Sequence, residues 1–171
     1  QNANPGESPQ TSEPVMDDAP AADTSAPPPA DPGPPGDIFD TTTTFAAMGL
    51  RNSVLKGIEA CGFLHPTATQ AKFLPVVMSG KDVLGQAKTG TGKTAAFALP
   101  MLNNLARDLP FQAIILAPTR ELAIQITSEI DELGQFTPIK ATTVYGGEDV
   151  RRQADKLTRG SQILVGTPGR V

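Results

Sequence analysis

The sequence predicts an α/β fold in which a mostly parallel sheet is covered by helices on both faces. Mostly apolar segments of strand length, such as residues 113–117 and 162–166, alternate with segments of helical periodicity. Strands that are apolar at every position are typical of parallel sheets buried on both faces. A glycine-rich loop, residues 87–94, comes after the first predicted strand and before a helix.

The first 44 residues differ in composition from the rest of the chain. They hold 10 of the 17 prolines, 8 of the 18 acidic residues and no lysine or arginine. Residues 45–171 therefore carry 14 basic against 10 acidic side chains, a formal charge of +4. Because residues 1–44 have almost nothing apolar to bury, we expect them to form a disordered tail. The weakly basic body is compatible with a nucleic-acid partner.

Two helices are predicted between the tail and the loop. Apolar residues at helical spacing predict the first over residues 50–60, with Gly62 suited to end it. Thr67, followed by Gln70 three residues later, is a capping box that opens a helix over residues 68–78. From spacing alone, capping is the favoured role of Gln70.

The glycine-rich loop fits the phosphate-binding pattern G-x-x-x-x-G-K-[ST], with alanine at the first glycine position. Residues 82–86 are predicted to form a short strand leading into it, and residues 98–105 have the periodicity of a helix leading out. A loop of this kind turns its backbone N–H groups toward a polyphosphate. Lys93 is placed to reach the β and γ phosphates, and the Thr94 hydroxyl to hold a phosphate-bound magnesium ion. The sequence therefore predicts a nucleotide site.

Three more strands are predicted after the loop, over residues 113–117, 139–145 and 162–166, with helices between them. Ligands of parallel sheets bind beyond the carboxyl ends of the strands. Polar segments follow each of these strands, and each taken alone is explained as a turn or a helix start. They are residues 118–121, 146–147 and 167–170.

Taken together, the ordered segments from Phe45 to Val171 resemble the DEAD-box family of ATP-dependent RNA helicases. The loop is similar to the family's motif I, where alanine at the first position is usual. Phe45 stands 17 residues ahead of Gly62, where the family has an isolated aromatic. The remaining matches are Gly62-Phe63, Pro66-Thr67 and Gln70 to the adenine-recognition motif, Pro118 to Ala123 to motif Ia, Gly146-Gly147 to the double-glycine element, and Thr167 to Arg170 to motif Ib.

The resemblance implies a RecA-like P-loop domain that binds ATP and Mg²⁺. Gln70 would read adenine through its amide, and Phe45 would stack on the base. Lys93 and Thr94 would be the catalytic residues of the loop, with Thr94 holding Mg²⁺ through ATP. The implied nucleotide contacts are Phe45, Phe63, Thr67, Gln70, Ala87, Lys88, Thr89, Gly90, Thr91, Gly92, Lys93 and Thr94.

The resemblance also implies an RNA partner that is bound through its backbone, without sequence specificity. The implied contacts are Pro118, Thr119, Arg120, Gly147, Thr167, Gly169 and Arg170. An unrelated P-loop kinase or transporter ATPase is disfavoured by Phe45 and Gln70. A non-catalytic, ATP-dependent RNA-binding adaptor stays open, and the residues after Val171 would discriminate between it and an enzyme.

The chain stops at Val171, ahead of the Asp-Glu-Ala-Asp segment and of the second RecA-like domain of the family. Water activation and the arginine fingers belong to those parts. We therefore expect RNA-stimulated ATP hydrolysis and RNA unwinding or remodelling from the full-length parent. The fragment alone is expected to be inactive and poorly folded.

No apolar run approaches the ~18 residues that cross a bilayer, so we expect a soluble, cytoplasmic protein with no membrane partner. The chain begins at Gln1, which leaves a removed leader open. The single cysteine, Cys61, and the single histidine, His65, predict neither a disulfide framework nor a metal cluster.

Overall fold

The computed structural model describes residues 38–158 and 160–171. The disordered tail was predicted over residues 1–44, and its first 37 residues lie outside this description. No helix in the part of the chain that is described has both the length and the apolarity to span a membrane. In chain order the elements are a short 3₁₀ helix (Phe45–Met48), α1 (Asn52–Ala60), α2 (Ala68–Met78), α3 (Lys93–Asn104), β1 (Ala113–Leu116), α4 (Arg120–Leu133), β2 (Ala141–Val144), α5 (Val150–Thr158) and β3 (Ile163–Gly166).

The three strands form a parallel sheet in the order β1-β3-β2. Ile163 of β3 is in register with Ala113 of β1 on one side and Ala141 of β2 on the other. Helix α4 connects β1 to β2, and α5 connects β2 to β3. The parallel α/β architecture that the alternating pattern predicted is therefore confirmed.

One apolar core lies between the sheet and the helices. Ile163 and Val165 of β3 are fully buried in it, together with Leu99 of α3. Helix α4 packs on β2, β3 and α3. On the opposite face of β1, Ile114 and Leu116 are 57% and 60% exposed. Helices therefore cover one face of β1, and the other face remains open to solvent.

The strand predicted over residues 82–86 is not formed. Residues 81–88 have no regular secondary structure and pair with none of the three strands. Leu84 within this segment is fully exposed. A strand needs a neighbour that takes its backbone N–H and C=O groups, so an apolar and β-prone sequence is not sufficient by itself.

Residues 38–44, which were predicted to belong to the disordered tail, are attached to the domain. Phe39 forms an antiparallel bridge with Thr67, and the backbone N–H of Asp40 donates to the carbonyl oxygen of Pro66 at 2.8 Å. These contacts are made by backbone groups. Composition and periodicity therefore do not reveal them, and the boundary of the domain lies earlier than residue 45.

Candidate functional site

The loop of residues 87–94 closes around the side chain of Lys93, the first residue of α3. Its Nζ donates to the carbonyl oxygen of Ala87 at 2.5 Å and to that of Lys88 at 3.1 Å. Gly92, just before the helix, has a φ of 72°, which only glycine adopts without strain. The ammonium and the positive end of α3 therefore converge on one place that can hold a polyphosphate.

Thr94 lies in the first turn of α3, half-buried and one residue after Lys93. A hydroxyl oxygen beside a polyphosphate is a hard ligand of the kind that Mg²⁺ takes in addition to phosphate oxygens and water. Thr94 therefore suits the role of magnesium ligand that the sequence predicts for it. Thr91, earlier in the loop, stabilises its turn by donating from Oγ1 to the carbonyl oxygen of Lys88 at 2.9 Å.

A cavity of about 420 Å³ lies next to the loop. Phe39 and Phe63 form apolar parts of its wall, and Gln70 and Gly92 form polar parts. A pocket of a few hundred Å³ with apolar walls and few polar groups is typical of a small-molecule site. Because Gly92 also belongs to the loop, the cavity and the polyphosphate site are continuous.

Gln70 connects the start of α2 to the loop. Its Oε1 accepts from the Thr67 N–H at 2.9 Å, and its Nε2 donates to the carbonyl oxygen of Gly92 at 3.1 Å. The Gln70 N–H donates to Thr67 Oγ1, which completes the capping box that spacing predicted. A side-chain amide has two acceptor lone pairs and two donor hydrogens, so one of each is left for a ligand. Capping and base recognition are thus compatible in this geometry.

The structure does not support the base-stacking role expected of Phe45. This residue is only 5% exposed, and its ring belongs to the hydrophobic core. A ring with no free face cannot stack on a ligand. The aromatic side chains that reach the cavity are Phe63, which was expected there, and Phe39, which is 54% exposed and was not. A lone aromatic in an otherwise polar segment is the signal that could have identified Phe39.

The residues predicted to bind RNA follow the carboxyl ends of the three strands. Because the strands are parallel, these ends lie at one edge of the sheet, and the order β1-β3-β2 places the segment after β3 in the middle. Thr119 caps α4 by accepting from the Leu122 N–H at 3.2 Å. Thr167 and Arg170 are half-buried, and the remaining members of the set are exposed: Pro118, Thr119, Arg120, Gly147 and Gly169.

A contact that spacing did not predict joins the segment after β1 to Tyr145, the residue just before the two glycines after β2. The guanidinium carbon of Arg120 lies 4.4 Å from the centroid of the Tyr145 ring. Nearby in the chain, Glu148 pairs with Lys156 at 3.1 Å. The hydrogen bond from Lys156 is the main reason why the pKa of the Glu148 carboxyl is lowered, with smaller contributions from its Coulombic attraction and from Tyr145 and Gln153.

Residues 67–171 match the family model described as DEAD/DEAH box helicase. The DEAD-box ATP-dependent RNA helicase RhpA of Helicobacter pylori (strain B128) is 47% identical over 128 residues, which are 75% of this chain and 26% of that protein. The ATP-dependent RNA helicase CshA of Limosilactobacillus reuteri is 51% identical over 128 residues, 74% of this chain and 26% of that protein. The chain thus spans about a quarter of the length of these relatives.

Solved structures show the same architecture. A DEAD box protein from the hyperthermophile Methanococcus jannaschii matches with a TM-score of 0.71 and 39% identity, over 74% of this chain and 35% of that one. Dbp5 of S. cerevisiae bound to RNA and ADP BeF3 matches with a TM-score of 0.63 and 36% identity, over 74% of this chain and 32% of that one. These likenesses confirm the RecA-like fold.

Proposed function

The chain belongs to the DEAD/DEAH box helicase family, and we propose that the whole protein is an ATP-dependent RNA helicase. It would hydrolyse ATP when RNA is bound and use the hydrolysis to unwind or remodel RNA duplexes. The observation that carries the proposal is the continuity between the loop around Lys93 and the cavity that contains Gln70. Together they form one site with a polyphosphate end and a base end.

In this proposal the loop amides and Lys93 hold the β and γ phosphates, and Thr94 holds Mg²⁺ through them. The ion would neutralise the charge that develops on the phosphate oxygens. The free donor and acceptor positions of the Gln70 amide read adenine, since they match its N7 acceptor and N6 donor. Phe39 and Phe63 supply the apolar walls of the base pocket. These contacts would favour ATP over GTP.

RNA would bind at the strand ends, through its sugar-phosphate backbone. Arg120 and Arg170 supply positive charge there, and the start of α4 at Thr119 supplies backbone N–H groups. Contacts of this kind position the nucleic acid but carry no base information. We therefore propose binding that does not depend on RNA sequence.

The test is RNA-stimulated phosphate release by the full-length protein and its Lys93→Ala variant. The variant should lose stimulated release, because in the part of the site that is described no other side chain brings a cation inside the loop. Lys56→Ala, at an exposed lysine of α1, is the matched control and should retain release. Stimulated release by Lys93→Ala would overturn the assignment of this loop. Wild-type protein that binds RNA in an ATP-dependent manner without any release would identify the adaptor instead.

A further inference from the structure

We propose that Tyr145 is a positioning residue for RNA binding. Its ring covers one face of the Arg120 guanidinium and leaves the N–H donors in the guanidinium plane available to RNA. The proposal rests on the proposed function, in which Arg120 contacts an RNA phosphate. It concerns a side chain that lies outside all the segments assigned to RNA on the basis of resemblance.

The contact bridges the two outer strands of the sheet. Arg120 begins α4 just after β1, and Tyr145 directly follows β2, with β3 between the two strands. The guanidinium carbon lies 4.4 Å from the ring centroid, well within the ~6 Å range of a cation–π contact. The contact therefore links the two segments at the edge where RNA would lie.

The geometry leaves the chemistry of Arg120 available. A guanidinium is flat, so it can place one face on an aromatic ring while its N–H donors point outward in the plane. Arg120 is an exposed residue, so a ligand can reach it from solvent. An arginine side chain loses rotamer entropy when it is fixed, and a ring that already restrains it reduces the part lost on binding.

The position of Tyr145 is itself fixed by a buried amide of α5. Gln153, which is 3% exposed, accepts from the Tyr145 N–H through Oε1 at 3.2 Å. It also donates from Nε2 to the Tyr145 carbonyl oxygen at 2.8 Å. Both backbone groups of Tyr145 are thus held by one side chain, and the Glu148–Lys156 pair ties the intervening loop to the same helix. Tyr145, whose ring lies under Arg120, is therefore anchored to the folded domain through its backbone.

The test is a double-mutant cycle on RNA affinity in the full-length protein. Tyr145→Leu should raise the RNA Kd about 2-fold to 5-fold, the equivalent of an exposed cation–π contact of ~0.5–1 kcal/mol. Tyr145→Phe keeps the ring and should stay close to the parent. In an Arg120→Ala background, Tyr145→Leu should cause no further loss. Additive effects of the two substitutions, or a Phe variant as weak as the Leu variant, would overturn the proposal.

Phe136→Leu, at an exposed ring on the segment after α4, is the matched control and should leave RNA affinity unchanged. Thermal unfolding of each variant separates a folding defect from the loss of a contact. Arg120→Lys is a second test that leaves Tyr145 intact, because an ammonium keeps the charge but lacks the flat shape that stacks and donates at once. Full RNA affinity of Arg120→Lys would contradict the proposal. An Arg120→Ala variant with unchanged RNA affinity would contradict it too, whereas a wild-type protein that binds no RNA would sink the proposed function itself.

Discussion

Replacing Gln70 by alanine tests whether the amide reads the base or only caps α2. The side chain is 2% exposed and makes hydrogen bonds to Thr67 and Gly92. Without it, one N–H and one C=O lose their partners in the interior. Each buried group left unpaired costs ~1–3 kcal/mol. Because water can enter from the neighbouring cavity, we expect a loss on the order of 2–4 kcal/mol in local stability.

Both roles of Gln70 predict this stability loss, so the loss alone does not separate them. Base reading adds a second effect, since the variant lacks the donor and acceptor that match adenine. A two-point amide contact contributes ~1–3 kcal/mol of discrimination, about a 5-fold to 150-fold preference. Gln70→Ala should therefore lose most of the preference for ATP over GTP, in addition to its stability loss.

Gln70→Glu is the matched variant that keeps the acceptor of the side chain and removes its donor. A carboxylate still accepts from the Thr67 N–H, so the capping box is kept. It can also accept from adenine N6 and repels guanine O6, but it cannot donate to a purine N7. Under base reading the Glu variant should therefore bind ATP more weakly yet keep the preference that Gln70→Ala loses. Under capping alone both variants should keep the preference.

Three measurements on the full-length protein decide the matter: the Kd for ATP, the Kd for GTP, and amide hydrogen exchange across α2. Exchange is preferred to a melting temperature because a protein with several domains does not unfold in a single two-state step. Retained ATP preference in both variants would refute base reading. Unchanged exchange at the start of α2 in Gln70→Ala would refute the expected loss of local stability.

Three further predictions follow from close contacts and from one thiol. Gly57→Ala should destabilise the packing of α1 on α4 by ~1–3 kcal/mol, because the new Cβ would overlap the carbonyl oxygen of Leu133; a variant with parental thermal stability would contradict this. Gly92→Ala should weaken ATP binding, since its Cβ would collide with the Gln70 amide at a φ of 72°, and unimpaired binding by calorimetry would count against that contact. Burial, and secondarily the carboxylate of Glu132, raise the pKa of the Cys61 thiol above 9.0. The unfolded thiol therefore ionises first, and the free energy of unfolding should fall as the pH rises past 9.0. Peptide-resolved alkylation should show Cys61 reacting faster after denaturation, and equal rates would refute the shift.

Local chemistry explains why much of the fold could be predicted from the sequence. The capping box at Thr67 and Gln70 predicted a helix over residues 68–78, and the structure has α2 at Ala68–Met78. The strand predicted over residues 162–166 is present as β3, Ile163–Gly166, and is fully buried at Ile163. In these cases the signal and the structure involve residues within a few positions of one another, so no knowledge of distant partners was needed.

The errors share the opposite cause. Residues 82–86 had the composition of a strand, but a strand exists only if another strand pairs with it, and none of the three described does. Phe45 and Phe39 are both aromatic residues ahead of α1, and the family resemblance assigned the base to Phe45. Packing decided otherwise, because the core buried Phe45 while a backbone bridge to Thr67 brought Phe39 to the cavity.

Sequence reasoning was sufficient for the loop around Lys93, the capped helices and the alternation typical of a parallel sheet, because each depends on neighbouring residues and on fixed periods. The groups that meet across the chain are known from the fold alone. Tyr145 reaches Arg120 across the end of β3, because the order β1-β3-β2 leaves only that strand between them, although 25 positions separate the residues along the chain. Strand order is set by the packing of whole elements, and no local pattern contains it.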